Sequence, residues 1–175
     1  MPPFAPLPPL FADWFAKRGW APHRHQLELL GAARDGRSVL LVAPTGGGKT
    51  LAGFLPSLVD LAECPRDGLH TLYVSPLKAL AVDIHRNLTE PLQELGLPIR
   101  IETRTGDTPQ GKRQRQRVNP PHMLMTTPES LSLLLSYPDA AQMFAGLAAI
   151  IIDELHALAG TKRGDLLALG LARLR

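Results

Sequence analysis

SVLLVAPTGGGKT (residues 38–50) and AAIIIDE (residues 148–154) decide how this sequence folds. The first begins with an apolar run, Ser38 to Ala43, of the kind a parallel strand covered on both faces requires. A tight turn and a helix starting at Lys49 follow, with Pro56 as an expected kink or early stop. Backbone N–H groups can wrap a polyphosphate only where side chains are small, and Thr45, Gly46, Gly47 and Gly48 form such a cradle. The helix N-terminus adds a partial positive charge. Lys49 can reach the β- and γ-phosphates, and the Thr50 hydroxyl is a hard oxygen ligand for Mg²⁺. Ala43 stands where the general pattern has a first glycine. The competing reading is a glycine turn with an incidental lysine.

The second stretch is an apolar strand that ends in two acids. Strand C-termini lie at the ligand edge of an open α/β sheet. Asp153 is then placed to hold Mg²⁺, and Glu154 to orient the attacking water. Adjacent acids after a buried strand could instead open a helix, whose first turn favours them. Lys49 and Asp153 lie 104 positions apart, room for several βα units and more than a compact small-molecule kinase needs. The reading requires both ends of that interval to serve one Mg·nucleotide.

Strand and helix alternate between and around these stretches. Strands are expected at 69–75, 98–103, 122–126 and 148–153, with helices at 10–18, 23–34, 49–61, 78–95, 128–136, 139–144 and from 164 on, and a short basic helix or turn at 110–118. Pro91 weakens the second half of the 78–95 helix. The alternation implies a mostly parallel sheet flanked by helices. Residues 1–9 read as a Pro-rich arm and residues 10–175 as one domain.

Composition narrows the setting. The chain has 175 residues, 45% apolar and 20% charged, enough for one real core. A formal charge of +3 permits a phosphate-rich partner without demanding one. KRQRQR (112–117) is the densest basic run, readable as a phosphate contact or as a solvated helix face. The single cysteine, Cys64, excludes an internal disulfide and fits a reducing compartment. The N-terminus lacks the basic and apolar regions of a secretory signal, and no stretch approaches the roughly 20 apolar residues of a membrane span. No membrane association and a cytoplasmic location are expected.

The motifs together resemble the superfamily 2 DExH-box helicases. DELH (153–156) resembles the DExH box, and Gln26 resembles the glutamine that reads the adenine edge of ATP. YVSPLKAL (73–80), TRTGDT (103–108) and TTPES (126–130) resemble the nucleic-acid-contacting motifs of the Lhr (large helicase-related) group. AVDIH (81–85) and GDLLALG (164–170) are similar to its ligase-associated bacterial branch. The resemblance covers nearly everything from Phe11 on.

The resemblance implies a RecA-like P-loop NTPase domain, C-terminally truncated, from an ATP-dependent DNA helicase. Lys49, Asp153 and Glu154 would be catalytic. Gln26 and residues Thr45 to Thr50 would bind ATP, and Thr50 and Asp153 would hold Mg²⁺. Ser75, Pro76, Lys78, Arg104, Thr105, Gly106, Thr127, Pro128 and Glu129 would hold single-stranded DNA by its backbone. Trp20 would pack near the base, and His156 would link the ATP site to the rest of the motor. The setting would be DNA repair, with DNA ligase and nuclease partners. ATP would sit between this domain and a second RecA-like domain whose arginine is worth about 10³–10⁵ in rate. The expectation is therefore an N-terminal fragment with very poor turnover by itself. A strand following the Asp-Glu strand would lie between it and the glycine-turn strand, so two strands would lose ladder partners. The alternatives are a non-catalytic nucleotide- or nucleic-acid-binding remnant, and a P-loop NTPase not coupled to DNA.

Overall fold

The computed structural model of the chain describes residues 6–43 and 47–174. Thirteen elements are assigned among them: helices α1 (Pro9–Lys17), α2 (Arg24–Arg34), α3 (Lys49–Glu63), α4 (Lys78–Leu95), α5 (Gln110–Val118), α6 (Pro128–Leu135), α7 (Ala140–Phe144), α8 (Leu155–Leu158) and α9 (Lys162–Arg173), with strands β1 (Thr71–Val74), β2 (Ile101–Arg104), β3 (Met123–Thr126) and β4 (Ala149–Ile152). None of the described helices is long and apolar enough to cross a membrane.

The described residues divide into two compact units. One holds the described residues through Arg66 together with Leu92–Leu97; the other holds Asp67–Pro91 and the residues from Pro98 on. The division passes through α4 just after Pro91.

The first unit carries α1 to α3. Helix α1 starts at Pro9, one residue into the expected arm. Proline suits this first helical position because its missing N–H would have no partner there. Pro56 does not stop α3, which runs on to Glu63. Ala52, Phe54, Leu55, Leu58, Val59 and Leu61 are all buried along α3, and that burial outweighs one lost backbone bond. Cys64 caps the helix end and is exposed.

Ser38–Ala43 does not form the expected strand. Leu40 is 73% and Val42 85% exposed. An apolar run becomes a strand only where a neighbour offers backbone partners. Within the described residues, none of the four strands pairs with it.

The second unit carries the sheet. Its order is β2-β3-β1-β4, and all three pairings are parallel. Both central strands, β1 and β3, are buried at every position, because parallel strands covered on both faces must be apolar throughout. Leu72 and Leu124 face each other across the β1–β3 ladder and pack with Leu131, Leu134, Phe144, Leu158 and others. Helices α6 and α9 pack closely at Gly170, where a Cβ would come within 3.3 Å of Leu135.

Leu72 is fully buried. Leu72→Ala is expected to cost about 2–5 kcal/mol through lost transfer energy and an unfilled cavity. Urea titration followed by tryptophan fluorescence and far-UV circular dichroism would measure it. A change inside the error of the wild-type midpoint would contradict this packing.

Candidate functional site

In the first unit the end of the glycine turn meets α2. Gly48 caps α3 in the left-handed region, at φ 68°, which glycine adopts without strain. A Cβ on Gly48 would lie 3.0 Å from Gln26 Nε2 and 3.2 Å from His23 Cδ2, so this approach also needs glycine. Gln26 is 2% exposed. Its Oε1 accepts from the His23 backbone N–H at 2.8 Å, and its Nε2 donates to the Gly48 carbonyl at 3.4 Å. The amide thus lines the turn, and each end keeps a further hydrogen-bonding position. Lys49 and Thr50 open α3 and are half-buried. Thr45 and Gly46 lie outside the described residues.

Trp20 is half exposed and meets Trp14 edge-on, with ring centroids 5.8 Å apart. The Arg18 guanidinium sits 4.8 Å from the Trp20 ring centroid and is ion-paired with Glu94. This cation–π contact and ion pair fix the segment ahead of His23.

In the second unit the ladder register aligns the expected site residues of that unit. Val74 pairs with both Thr126 and Ile152, and Thr126 pairs with Arg104. All four strands therefore end at one level. The next residues, Ser75, Thr105, Thr127 and Asp153, fall along a single C-terminal sheet edge. Motifs spread over nearly eighty positions become neighbours through that alignment.

Asp153 is fixed from three directions. Its N–H donates to the Val74 carbonyl at 2.9 Å, its Oδ2 accepts from the Tyr73 hydroxyl at 2.6 Å, and its Oδ1 accepts from the Glu154 N–H at 2.9 Å. Burial first, and then the Asp153 carboxylate beside it, push the Tyr73 hydroxyl well above the usual tyrosine range, so it stays a donor. Glu154 follows in the left-handed region (φ 48°, ψ 43°), the sole non-glycine residue at positive φ among the described residues. Such a conformation costs of order 1–3 kcal/mol and concentrates at functional sites. His156 Nε2 lies 3.4 Å from Glu154 Oε2 and is largely exposed.

The nine expected strand contacts separate by exposure. Lys78, Gly106 and Glu129 are exposed, whereas Ser75, Pro76, Thr105, Thr127 and Pro128 are buried just behind them. The Thr127 hydroxyl caps α6 by accepting from the Ser130 N–H. Lys78 Nζ donates to both Asp107 carboxylate oxygens, at 2.8 and 3.0 Å. Lys78, Thr105 and Asp107 line an open cleft of about 500 Å³, shared with Thr103 and Lys112.

Arg104 does not present the surface charge expected of it. It is 2% exposed, its Nη1 donates to the Arg113 carbonyl at 2.8 Å, and its guanidinium lies near the Tyr137 ring. Desolvation lowers its pKa from the ordinary arginine value. The basic run is also engaged: Arg113 bonds the carbonyls of Thr105 and Gly106, Arg115 and Lys112 pair with Glu102, and Arg117 pairs with Asp139. These cations tie α5 to β2 and to the start of α7.

Two further residues enter. One is Tyr73; the other is Arg163, which donates to both Glu129 carboxylate oxygens and to the Pro76 carbonyl. Arg163 holds the Glu129 carboxyl below the usual carboxylate range. Tyr73 stands inside the YVSPLKAL run and Arg163 directly before GDLLALG, but their partners are 80 and 87 positions away.

Residues 23–175 match the family model described as DEAD/DEAH box helicase. The chain is 46% identical over 178 residues to "Lhr helicase/ probable uracil glycosylase" of Mycolicibacterium smegmatis, covering 94% of this chain and 12% of that protein. It is 40% identical over 180 residues to "ATP-dependent helicase Lhr-Core" of Methanocaldococcus jannaschii, covering 93% of this chain and 21% of that one. The structure of Mycobacterium smegmatis helicase Lhr bound to ssDNA and AMP-PNP superposes with a TM-score of 0.87 at 44% identity, over 98% of this chain and 23% of that one. The chain thus spans between about a tenth and a quarter of the length of these relatives.

Proposed function

The chain belongs to the DEAD/DEAH box helicase family, and from that premise we propose that it is the N-terminal ATP-binding part of an Lhr-type helicase that hydrolyses ATP to move on single-stranded DNA. One observation supports this reading most: the four strands end at a common level, so that Asp153 follows β4 on the same sheet edge as Ser75, Thr105 and Thr127.

The residues fit a Mg·nucleotide. The Gly48 cradle has no room for a side chain, Gln26 lines it, and Thr50 and Asp153 supply the hard oxygen donors that Mg²⁺ takes. In this reading Lys49 holds the β- and γ-phosphates, with Gly46, Gly47 and Gly48 around them and Thr45 in the same turn. Bound Mg²⁺ would neutralise charge on the phosphate oxygens. Glu154 orients water for attack on the γ-phosphorus, and Gln26 reads the adenine edge. Lys78 and the Gly106 N–H take the strand's phosphates, while Ser75, Pro76, Thr105, Thr127 and Pro128 shape the loops that present them. Arg104 holds α5 in place from inside. A second RecA-like domain in the longer protein supplies the closing half of the ATP site. AVDIH and GDLLALG support placement in the ligase-associated branch, hence DNA ligase and nuclease partners in a cytoplasmic repair setting.

The test is a titration of ATPase rate against single-stranded DNA, using the full-length protein. Turnover should rise to saturation. The half-saturating DNA concentration should climb with salt, with a log–log slope of about 0.7 for each phosphate contacted. A rate indifferent to DNA would instead mark a P-loop NTPase uncoupled from nucleic acid. No turnover at all would mark a non-catalytic remnant.

A further inference from the structure

We infer that Arg163 is a positioning residue that transmits the state of the Asp153–Glu154 turn to the loops expected to hold the strand. The inference rests on the helicase reading above.

The segment from Glu154 to Arg163 is short and stiff. Glu154 leads directly into α8, whose last residue, Leu158, is 1% exposed. The Thr161 hydroxyl donates to the Leu158 carbonyl at 2.7 Å and accepts from the Gly164 N–H at 3.1 Å, capping α9 while tying it to the end of α8. A Cβ on Gly164 would lie 2.1 Å from the Leu158 carbonyl oxygen, so only glycine lets α9 begin this close to α8. Arg163, one residue earlier, is thereby carried at a fixed offset from Glu154.

From there its planar guanidinium makes a forked bond to Glu129 and a 2.7 Å bond to the Pro76 carbonyl. Pro76 belongs to the loop after β1, and Glu129 to the first turn of α6. A second bridge closes the circuit: the Tyr73 hydroxyl on β1 holds Asp153 at 2.6 Å. The loop at Ser75–Pro76 is therefore gripped on one side through Asp153 and on the other through Arg163. A shift at the acid turn displaces Pro76 and Glu129 together. The pairing has an electrostatic role as well. Glu129 is an exposed acid beside loops that should meet phosphate, and Arg163 cancels its charge. The carboxylate thus serves as the anchor for Arg163 and not as a strand contact.

The experiment compares full-length wild type, Arg163→Ala, Arg163→Lys and Glu129→Ala. It measures ATP turnover without DNA, KM for ATP, and the DNA concentration giving half-maximal stimulation. For Arg163→Ala the first two should match wild type, and the third should rise about 2- to 30-fold, the range that substitutions along a coupling network produce. Arg163→Lys keeps the charge but cannot make the fork, so it should show a similar rise. Arg163→Ala combined with Glu129→Ala should be no worse than the more severe single variant. Unchanged DNA dependence in both Arg163 variants overturns the inference. So do full rescue by lysine, additive losses in the double variant, and a fall in DNA-free turnover that tracks thermal stability. If wild type itself shows no stimulation by DNA, the helicase reading has failed first, and the wild-type arm alone reveals that.

Discussion

Glu154→Gln should lower ATP turnover of the full-length protein by about 10²–10⁴-fold, the usual contribution of a positioned acid–base group, while ATP binding stays near wild type. Glutamine keeps the size of the side chain and removes its charge and basicity. The local geometry gives reason to expect a chemical effect over a structural one. Glu154 precedes α8 at its N-cap position, yet its side chain makes no capping bond there. The acid pair is therefore not explained as a plain helix start. Glu154 also adopts a left-handed backbone, and such conformations persist only where the surroundings over-determine them. Here the Asp153 carboxylate accepts its N–H, and Asp153 is itself held by Tyr73 and Val74. Steady-state phosphate release and binding of a fluorescent ATP analogue, measured on the same preparation, separate turnover from affinity. Normal turnover in Glu154→Gln would remove the assigned role.

Much of this arrangement could be read from the sequence because it is local. Strands β1, β3 and β4 are mainly apolar runs, as buried parallel strands must be, whereas the edge strand β2 (IETR) is mostly polar and only partly buried. Helices α4 and α5 have the expected bounds. The failures share a cause. Ser38–Ala43 has a strand's composition, but pairing depends on a neighbour that composition does not show. Pro56 and Pro91 looked disruptive because the backbone penalty is local, whereas the burial that overrides it at α3 is tertiary. Helix α8, with four residues, is too short to show a period. Arg104 carries a charge that normally signals surface, and its burial depends on Tyr137 and the Arg113 carbonyl, neither adjacent to it. The site divides the same way. Lys49, Asp153 and Glu154 are candidates from motif chemistry, and Gln26 from the family resemblance. That Gln26 lines the Gly48 turn, that Tyr73 holds Asp153, and that Arg163 bridges Pro76 and Glu129 are long-range contacts.

Lys49→Ala should differ from Glu154→Gln in kind as well as size. Lysine is a compact charge at the first position of α3, where the helix N-terminus already favours anions. Its charge would interact with the phosphates in the bound state and more strongly as charge develops during transfer. Its removal should therefore weaken ATP binding and lower turnover by about 10²–10³-fold, the loss typical of one preorganised electrostatic contact. The helix should survive, because alanine is the best helix former and α3 is anchored by its buried face. Unchanged far-UV circular dichroism would establish that. Retained turnover would show that the glycine turn does not serve the hydrolysed nucleotide. The combined variant carries the stronger test. If Lys49 and Glu154 act on one nucleotide in one step, losing both should cost little more than losing the worse one, because residues that work as a unit are strongly non-additive. Multiplicative losses would mean that the two motifs act independently, and the ATPase assignment would lose its foundation.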